Sequence, residues 1–326
     1  MNPKSPTHNN RLIHVLSLNV AGANARQHIL LSHIQYSWFS VIMVQDPWWG
    51  RIGYDKSVNP NDVDIYGTVN SPNWICFIPP GNHGSIGPGV VTYVRRNISD
   101  MSAQFSDIYP FHKDTLAIDL YVKRSRTTLV NSYLHGDRFS DALNHLISNP
   151  IDQSGPVIWS GDFNLHHPMW QLATSPPIHP NQDARSLADW IEENDLTIMN
   201  NTNTPTRIGR KNQKDSIIDL TLFNSCAAEK WNDINWEATE RGSAGSDHQA
   251  ITWEISSYDQ VEPNVLLEPE PGYIIDLECQ DEWIEEYAHC IKTADLPNTC
   301  STAKDLDRIA NGILQAMSNA TKKVMP

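Results

Sequence analysis

The chain has 326 residues, a formal net charge of −14 and 40% hydrophobic residues, including eleven Trp. This length suits one large α/β domain with an appendage. No window approaches the roughly 18 consecutive apolar residues of a membrane span, and the polar N-terminus lacks the apolar centre of a secretory signal. The five Cys are odd in number and scattered. They predict free thiols in an intracellular protein, nuclear or cytoplasmic, and argue against a disulfide framework or a zinc site.

The negative charge is unevenly distributed along the chain. From Asp259 to the C-terminus acidic residues outnumber basic ones by 13 to 5, whereas in the first 258 residues the ratio is 25 to 19. A net negative charge argues against a nucleic-acid partner, because the phosphate backbone is itself negative. The argument is weaker for the body of the chain, where some of the acids are candidates for metal ligands.

The body consists of short apolar runs between loops rich in Pro, Gly, Asn and Ser. These runs predict strands at 12–18, 40–45, 89–95, 114–122, 127–134, 155–160, 196–200, 217–223 and 248–255. Helical periodicity predicts helices at 24–36, 138–148 and 183–194. Many strands with few helices between them favour an antiparallel α+β or layered sandwich over a doubly wound parallel sheet.

The composition changes near residue 257. Residues 257–272 contain repeated Glu-Pro pairs without periodicity, which predicts a linker. Amphipathic helices are predicted at about 278–292 and 303–318. The predicted organisation is therefore a domain at 1–257 followed by an acidic linker and helical tail at 258–326.

The predicted strand at 155–160 leads into Gly161-Asp162-Phe163-Asn164. Glycine lets the backbone approach another group closely. Asp162 and Asn164 are two residues apart, so in an extended segment their side chains point to the same side. This arrangement places a candidate ligand for a metal or water beside a candidate hydrogen-bond donor to a phosphate. A Gly-Asp pair at a strand end is also common without any catalytic role.

Five other predicted strands carry polar residues at, or close to, one end. These residues are Asn19, Asp46, Tyr133, Asp219, Asp247 and His248. Carboxylate and amide oxygens suit a hard cation such as Mg²⁺, and a nucleophilic water needs a base such as Asp162. The negative charge that develops on a phosphate is stabilised by hydrogen-bond donors. A His acts best as such a donor when a carboxylate fixes its tautomer. The set predicts phosphodiester hydrolysis, although a lone Asp219 in an apolar strand would more often be structural.

In this order, from about Leu12 to Ile255, these residues resemble the endonuclease/exonuclease/phosphatase superfamily. The resemblance implies an α/β (α+β) fold: a four-layer sandwich of two mainly antiparallel sheets flanked by helices. It implies Asn19, Asp46 and Asp247 as metal ligands, and Ser216 and Ser246 near the scissile phosphate. It further implies that the catalytic residues are Tyr133, Asp162, Asn164, Asp219 and His248.

Four segments, at 44–48, 161–170, 204–207 and 217–221, are similar to endonuclease domains of non-LTR, LINE-type retrotransposons. Their sequences most resemble those of Tad-like fungal elements. The resemblance implies nicking of target DNA with Mg²⁺, for which Mn²⁺ is a possible substitute. A reverse transcriptase of the same element is a further expected partner, and 258–326 resembles the connector to it.

A basic loop precedes Ser216. Its cations are Arg207, Arg210, Lys211 and Lys214. Such a run of charges is either a solvated loop or a DNA-binding element, and both interpretations stay open here.

One departure from the family pattern concerns Asp46, because the family has Glu at this position and Asp is one methylene shorter. Two alternatives to the endonuclease stay open. One is a phosphatase or phosphodiesterase of the same fold that acts on a small phosphate ester. The other, suggested by Asp46, is a catalytically weakened remnant that only binds nucleic acid or protein.

Overall fold

A computed structural model describes most of the chain. The described residues are 12–55, 63–123, 125–135, 139–151, 154–211, 213–231, 234–256, 279–294, 296–297 and 303–324. The chain divides into two compact units, Met1–Asp259 and Gln260–Pro326. The predicted linker at 257–272 lies outside the described residues, and the role of 258–326 as a connector stays a prediction.

The first unit contains the strands and four of the helices described. The strands are β1 (Leu12–Asn19), β2 (Val41–Gln45), β3 (Gly50–Asp55), β4 (Val63–Gly67), β5 (Trp74–Phe77), β6 (Val90–Arg95), β7 (Met101–Phe105), β8 (Thr115–Val122), β9 (Ser125–Tyr133), β10 (Val157–Asp162), β11 (Thr197–Ile198), β12 (Asp219–Phe223), β13 (Glu237–Thr239) and β14 (Ala250–Ser256). Its helices are α1 (Asn24–Ser32), α2 (Phe139–Ser148), α3 (Gln182–Glu193) and α4 (Ser225–Lys230). The second unit contains α5 (Gln280–Thr293) and α6 (Ala303–Val324).

Twelve of these strands form two sheets of six. The first sheet has the order β13-β14-β1-β2-β6-β5, and the second has the order β11-β12-β10-β9-β8-β7. In each sheet one central pair is parallel, β1 with β2 and β9 with β10, and all the other neighbours are antiparallel. The predicted mainly antiparallel sheets are confirmed.

Three apolar layers hold the sheets and helices together. Between the two sheets, Val15 and Met43 of the first belong to one buried cluster with Ile158 of the second. The outer face of the first sheet shares a cluster with Leu30 of α1. The outer face of the second sheet shares another with Trp190 of α3. The alternating inward and outward side chains of each strand supply both faces. The predicted four-layer sandwich with flanking helices is therefore confirmed.

The strand directions bring one edge of each sheet to the same end of the sandwich. Because β1 and β2 run parallel, their carboxyl ends meet at one edge, where Asn19 pairs with Gln45. In the second sheet Asp162 pairs with Tyr133 on one side and Asp219 on the other. The antiparallel strands β12 and β14 begin at these same edges. Ligand sites of open α/β sheets lie outside such strand ends.

A buried polar side chain links the two sheets. Asn131 of β9 is fully buried, and its Nδ2 donates to the carbonyls of Val44 at 3.2 Å and Val91 at 3.0 Å. Its Oδ1 accepts from Nε2 of Gln45 at 2.6 Å. The amide thus satisfies groups on two strands of the opposite sheet, which fixes the relative position of the two sheets.

Most of the predicted strands that exist are central and largely buried, whereas the missed strands are peripheral. All nine predicted strands and all five predicted helices exist, with ends shifted by a few residues, and α6 extends to Val324. The missed strands β3, β4, β5, β7 and β13 are short and lie at sheet edges or in a separate pair. β7 has no buried residue and therefore lacks the apolar run from which a strand is predicted. Among the described residues, no helix is long and apolar enough to cross a membrane.

The link between the sheets gives a stability prediction. Replacing Asn131 by Ala leaves the buried amide of Gln45 and the Val91 carbonyl without this partner, which should lower the free energy of unfolding by about 2 to 4 kcal/mol. Urea unfolding measures the loss. The matched control is Asn203→Ala, because Asn203 is exposed and its replacement should stay within about 0.5 kcal/mol. Equal effects of the two variants would contradict the proposed link.

Candidate active site

An imidazole and a carboxylate from opposite sheets form the centre of the site. His248, just before β14, directs Nδ1 at Asp219 of β12, with distances of 2.8 and 3.0 Å to its two carboxylate oxygens. Both side chains are buried. Burial alone lowers the pKa of His248, but the charges of Asp219 and Asp162 outweigh this and raise it to about 9. The imidazole is therefore protonated at neutral pH.

Asp162 lies on the other side of this pair. Its Oδ2 accepts from Nδ2 of Asn19 at 2.8 Å and lies 3.9 Å from Nε2 of His248. Its Oδ1 is buried and accepts no hydrogen bond from the described residues. Burial, followed by the charge of Asp219, raises the pKa of Asp162 to about 7. A carboxyl group with this pKa can take up a proton near neutral pH.

Gly161 lets β10 reach this position. A Cβ atom on Gly161 would lie 1.8 Å from the backbone oxygen of Ser132 on β9. No side chain fits in that space, so the close approach of the two strands requires glycine. The expected reason for the Gly-Asp sequence is confirmed.

Asp46 follows β2 and faces the same centre. Its φ of 45° is left-handed, a conformation in which Asp and Asn are the commonest residues after Gly. Burial raises the pKa of its carboxyl group, against the positive charges of His135 and His248. No described residue donates a hydrogen bond to this carboxylate. Asp46 is thus a partly desolvated acid whose carboxylate accepts no hydrogen bond from the described residues.

Tyr133 ends β9 beside these acids. Burial, together with the charges of Asp46 and Asp162, raises the pKa of its phenol well above the ordinary value. The phenol therefore keeps its proton at neutral pH and can donate a hydrogen bond. Asn164 has a φ of 54°, and its side-chain amide has no partner among the described residues. Both groups are available as donors to a substrate.

The oxygen ligands present fit a hard divalent cation. Asp46 offers a carboxylate, and Asp162 a buried oxygen, to which no described residue donates a hydrogen bond. The Oδ1 of Asn19 accepts from the Ala21 amide at 2.8 Å, and an amide oxygen has a second lone pair for a cation. Among the described residues, Asp162, Asp219 and His248 form a group whose ligand atoms lie within 4.8 Å of one another. Mg²⁺ and Mn²⁺ prefer such oxygen ligands, and Asn19 and Asp46 would hold the ion.

The remaining predicted residues have other contacts. The Oγ of Ser246 donates to the Asn19 carbonyl at 2.7 Å, and it accepts from the His248 amide at 3.2 Å. Ser216 pairs with Arg207 through the backbone. Asp247 lies between Arg207 and Arg210, at 3.2 and 3.5 Å. These contacts place Ser246 as a brace between Asn19 and His248.

The basic loop borders a cleft beside the centre. Arg207 and Lys214 line this cleft of about 620 Å³ together with Ser216, His166 and Trp170. Lys211 has a left-handed backbone and is exposed, as is the side chain of Arg210. The four cations therefore lie on a turn next to the site, and their role in substrate binding stays a prediction.

The sequence analysis did not identify two buried residues near the centre. Thr206 Oγ1 accepts from the backbone amides of Ile218 and Asp219, at 3.1 and 3.0 Å, and so fixes the start of β12. Asp114 is fully buried, and neither carboxylate oxygen has a hydrogen-bond partner among the described residues. Thr206 belonged to a recognised segment. For Asp114, which lies between Lys113 and Thr115, no sequence signal existed.

The pair of His248 and Asp219 gives a prediction that needs no substrate. In Asp219→Asn the negative charge is lost, so the pKa of His248 should fall from about 9 by about one pH unit or more. An NMR titration of the His248 ring measures it. The control is Glu254→Gln, which neutralises the partner of His14 instead and should leave His248 unchanged. An unaltered His248 titration in Asp219→Asn would rule out the electrostatic coupling.

The chain was compared with known families and proteins. Residues 116–252, less than half of the chain, match the family model described as endonuclease-reverse transcriptase. By sequence, no curated protein matches the chain.

The solved structures include two similar domains. One is the endonuclease domain of TRAS1, a telomere-specific non-LTR retrotransposon, with a TM-score of 0.55 and 17% identity over 75% of this chain and 98% of that domain. The other is the catalytic domain of Xenopus laevis APE2, with a TM-score of 0.50 and 14% identity over 74% of this chain and 91% of that domain. Together with the four-layer sandwich described above, these similarities show that the chain shares its fold with these two domains, and that residues 116–252 resemble the endonuclease-reverse transcriptase family.

Proposed function

We propose that this chain is a divalent-metal-dependent DNA endonuclease that nicks one strand of a target duplex and leaves a 3′-hydroxyl. The observation that carries the proposal is the buried series Asn19, Asp162, His248 and Asp219, in which a carboxyl group with a pKa near 7 lies 3.9 Å from an imidazolium. Hydrolysis of a phosphodiester needs a base for water and a positive group for the developing charge, and this series offers both.

Each residue then has a definite task. Asp162 accepts the proton of the attacking water, whose oxygen forms the new bond to phosphorus as the bond to the 3′-oxygen breaks. The departing 3′-oxygen takes up a proton from solvent water and leaves as the 3′-hydroxyl. The imidazolium of His248, held by Asp219, stabilises the negative charge on the phosphate oxygens. The Asn164 amide and the Tyr133 phenol donate hydrogen bonds to the same oxygens. A divalent cation on Asn19 and Asp46 would neutralise phosphate charge.

The choice of DNA over a small phosphate ester rests on the basic loop. Arg207, Arg210, Lys211 and Lys214 form a positive surface beside the site in an otherwise acidic chain. A polymer with repeated phosphates can contact several such cations at once, whereas a small ester cannot. The cleft of about 620 Å³ beside the loop is also open to an extended substrate.

The proposal extends to the biological context. The four segments similar to non-LTR retrotransposon endonucleases, together with the fold shared with the TRAS1 domain, favour target-DNA nicking for retrotransposition. Residues 258–326 would then connect the endonuclease to a reverse transcriptase of the same element.

Plasmid nicking tests the reaction. With Mg²⁺ or Mn²⁺ the chain should convert supercoiled plasmid to open circles, and excess chelator should abolish this conversion. Asp162→Asn and His248→Ala should each lower the rate by at least about 100-fold, since a positioned base or charge-stabilising group is lost. Exposed residues of the same types supply the controls, Asp189→Asn and His28→Ala, which should keep the wild-type rate.

Each alternative predicts a different result. Undiminished nicking in chelator would disprove the metal assignment, and a near wild-type rate would remove the altered residue from the site. Hydrolysis of bis(p-nitrophenyl) phosphate without nicking would identify a small-ester phosphodiesterase. A chain that binds DNA but cleaves neither substrate with either metal would be the inactive remnant.

The basic loop is tested separately by the salt dependence of DNA binding, measured in chelator to prevent cleavage. Replacing its four cations by Ala should weaken binding and flatten the slope of log K against log salt by up to about 3.6, if each cation neutralises one phosphate. Arg51→Ala is the control, because Arg51 is exposed on β3. An unchanged slope in the fourfold variant would leave the loop as a solvated connector.

A further inference from the structure

The surroundings of Asp247 do not suit a metal ligand. Its Oδ2 accepts from Nε of Arg207 at 3.2 Å, and its Oδ1 lies 3.5 Å from a guanidinium nitrogen of Arg210. Both carboxylate oxygens thus face positive charges. A divalent cation bound there would be repelled by two neighbouring guanidinium groups.

Arg207 is held more firmly than an ordinary surface arginine. Its backbone pairs with Ser216 on one side and with His248 on the other. The neighbouring amide of Ile208 donates to the Asp247 carbonyl at 2.8 Å. One Nη nitrogen also donates to Oε1 of Gln213 at 3.3 Å. Backbone and side chain together therefore restrain the guanidinium group.

The restrained guanidinium keeps donors available for a ligand. Arginine has five N–H donors, and in Arg207 the described residues engage Nε and one Nη, while the other Nη has no partner among them. The side chain is 32% exposed and lines the cleft together with Lys214 and His166. Burial, and next the charge of Arg207, lower the pKa of His166, so this charge reaches the cleft.

We propose that Asp247 is a positioning residue, which anchors Arg207 so that its free donors bind a phosphate next to the scissile one. The ligand class is a phosphodiester oxyanion of the DNA strand in the cleft. A planar guanidinium held at Nε presents its remaining donors in a fixed fork, which suits two phosphate oxygens. The scissile phosphate itself is bound by His248 and Asn164. This proposal rests on the endonuclease function proposed above.

A double-mutant cycle tests the anchor. Asp247→Ala and Arg207→Ala should each lower kcat/KM for a DNA duplex by about 10-fold or more, and the double variant should be within about 3-fold of Arg207→Ala, because residues that act as a unit are not additive. The loss should appear mainly in KM, since a flanking phosphate carries its charge before and during the reaction. Asp247→Asn keeps an acceptor oxygen and should recover part of the loss.

The dependence on metal concentration separates an anchor from a ligand. In Asp247→Ala the Mn²⁺ concentration for half-maximal nicking should change by less than about 2-fold, whereas Asp46→Ala should raise it. Arg51→Ala is the control and should keep the wild-type rate and Mn²⁺ requirement, because Arg51 is exposed on β3 and pairs with Asp64 instead. Additive losses in the cycle, or a raised Mn²⁺ requirement in Asp247→Ala, would overturn the proposal.

A measurement without substrate keeps this proposal distinct from the proposed function. The Nε–H resonance of Arg207 should be protected from solvent exchange in the wild type and in Arg51→Ala, and should lose that protection in Asp247→Ala. If the wild type nicks no DNA, the proposed function fails while this signal still reports on the anchor. If the wild type nicks DNA and the signal is unprotected, the anchor fails alone. Thermal melting confirms that each variant is folded.

Discussion

The candidate site depends on hydrogen bonds that cross from one sheet to the other. Asn19 of the first sheet donates to Asp162 of the second at 2.8 Å, and His248 beside the first sheet reaches Asp219 of the second at 2.8 Å. Each sheet thus supplies half of each pair. Deeper in the core, the side-chain amide of Asn131 also donates hydrogen bonds from the second sheet to the first. The geometry of the candidate site therefore exists only while the two sheets keep their alignment, and the apolar layer between the sheets maintains that alignment.

The same arrangement concentrates ionisable groups where water is scarce. Asp162, Asp219 and His248 are all buried, and two of them are acids. Two buried carboxylates repel each other, and a single imidazolium between them cannot fully compensate both. The Oδ1 of Asp162 remains unsatisfied by the described protein groups. Such a centre lowers the stability of the fold, and a bound cation with its phosphate would complete the missing interactions.

The sequence predicted the strands and the polar residues at their ends because both depend on local pattern. Apolar runs mark β1, β2 and β10, and the polar residues at the ends of these runs are conspicuous. The contacts of these residues were not predictable by the same means. Asn19 and Asp162 are 143 positions apart, and the arginines beside Asp247 come from a separate loop. Resemblance to a family supplies residue roles, but it cannot show which of two charged neighbours a carboxylate binds in this chain.

The left-handed backbone at Asp46 has a consequence for how this position can change. A φ of 45° suits Asp, whose short polar side chain tolerates it, whereas a longer acid at such a φ costs about 1 kcal/mol or more. The family Glu and the Asp found here are therefore not interchangeable on one fixed backbone. A change to Glu at position 46 would therefore be tolerated best together with a change of the turn that follows β2.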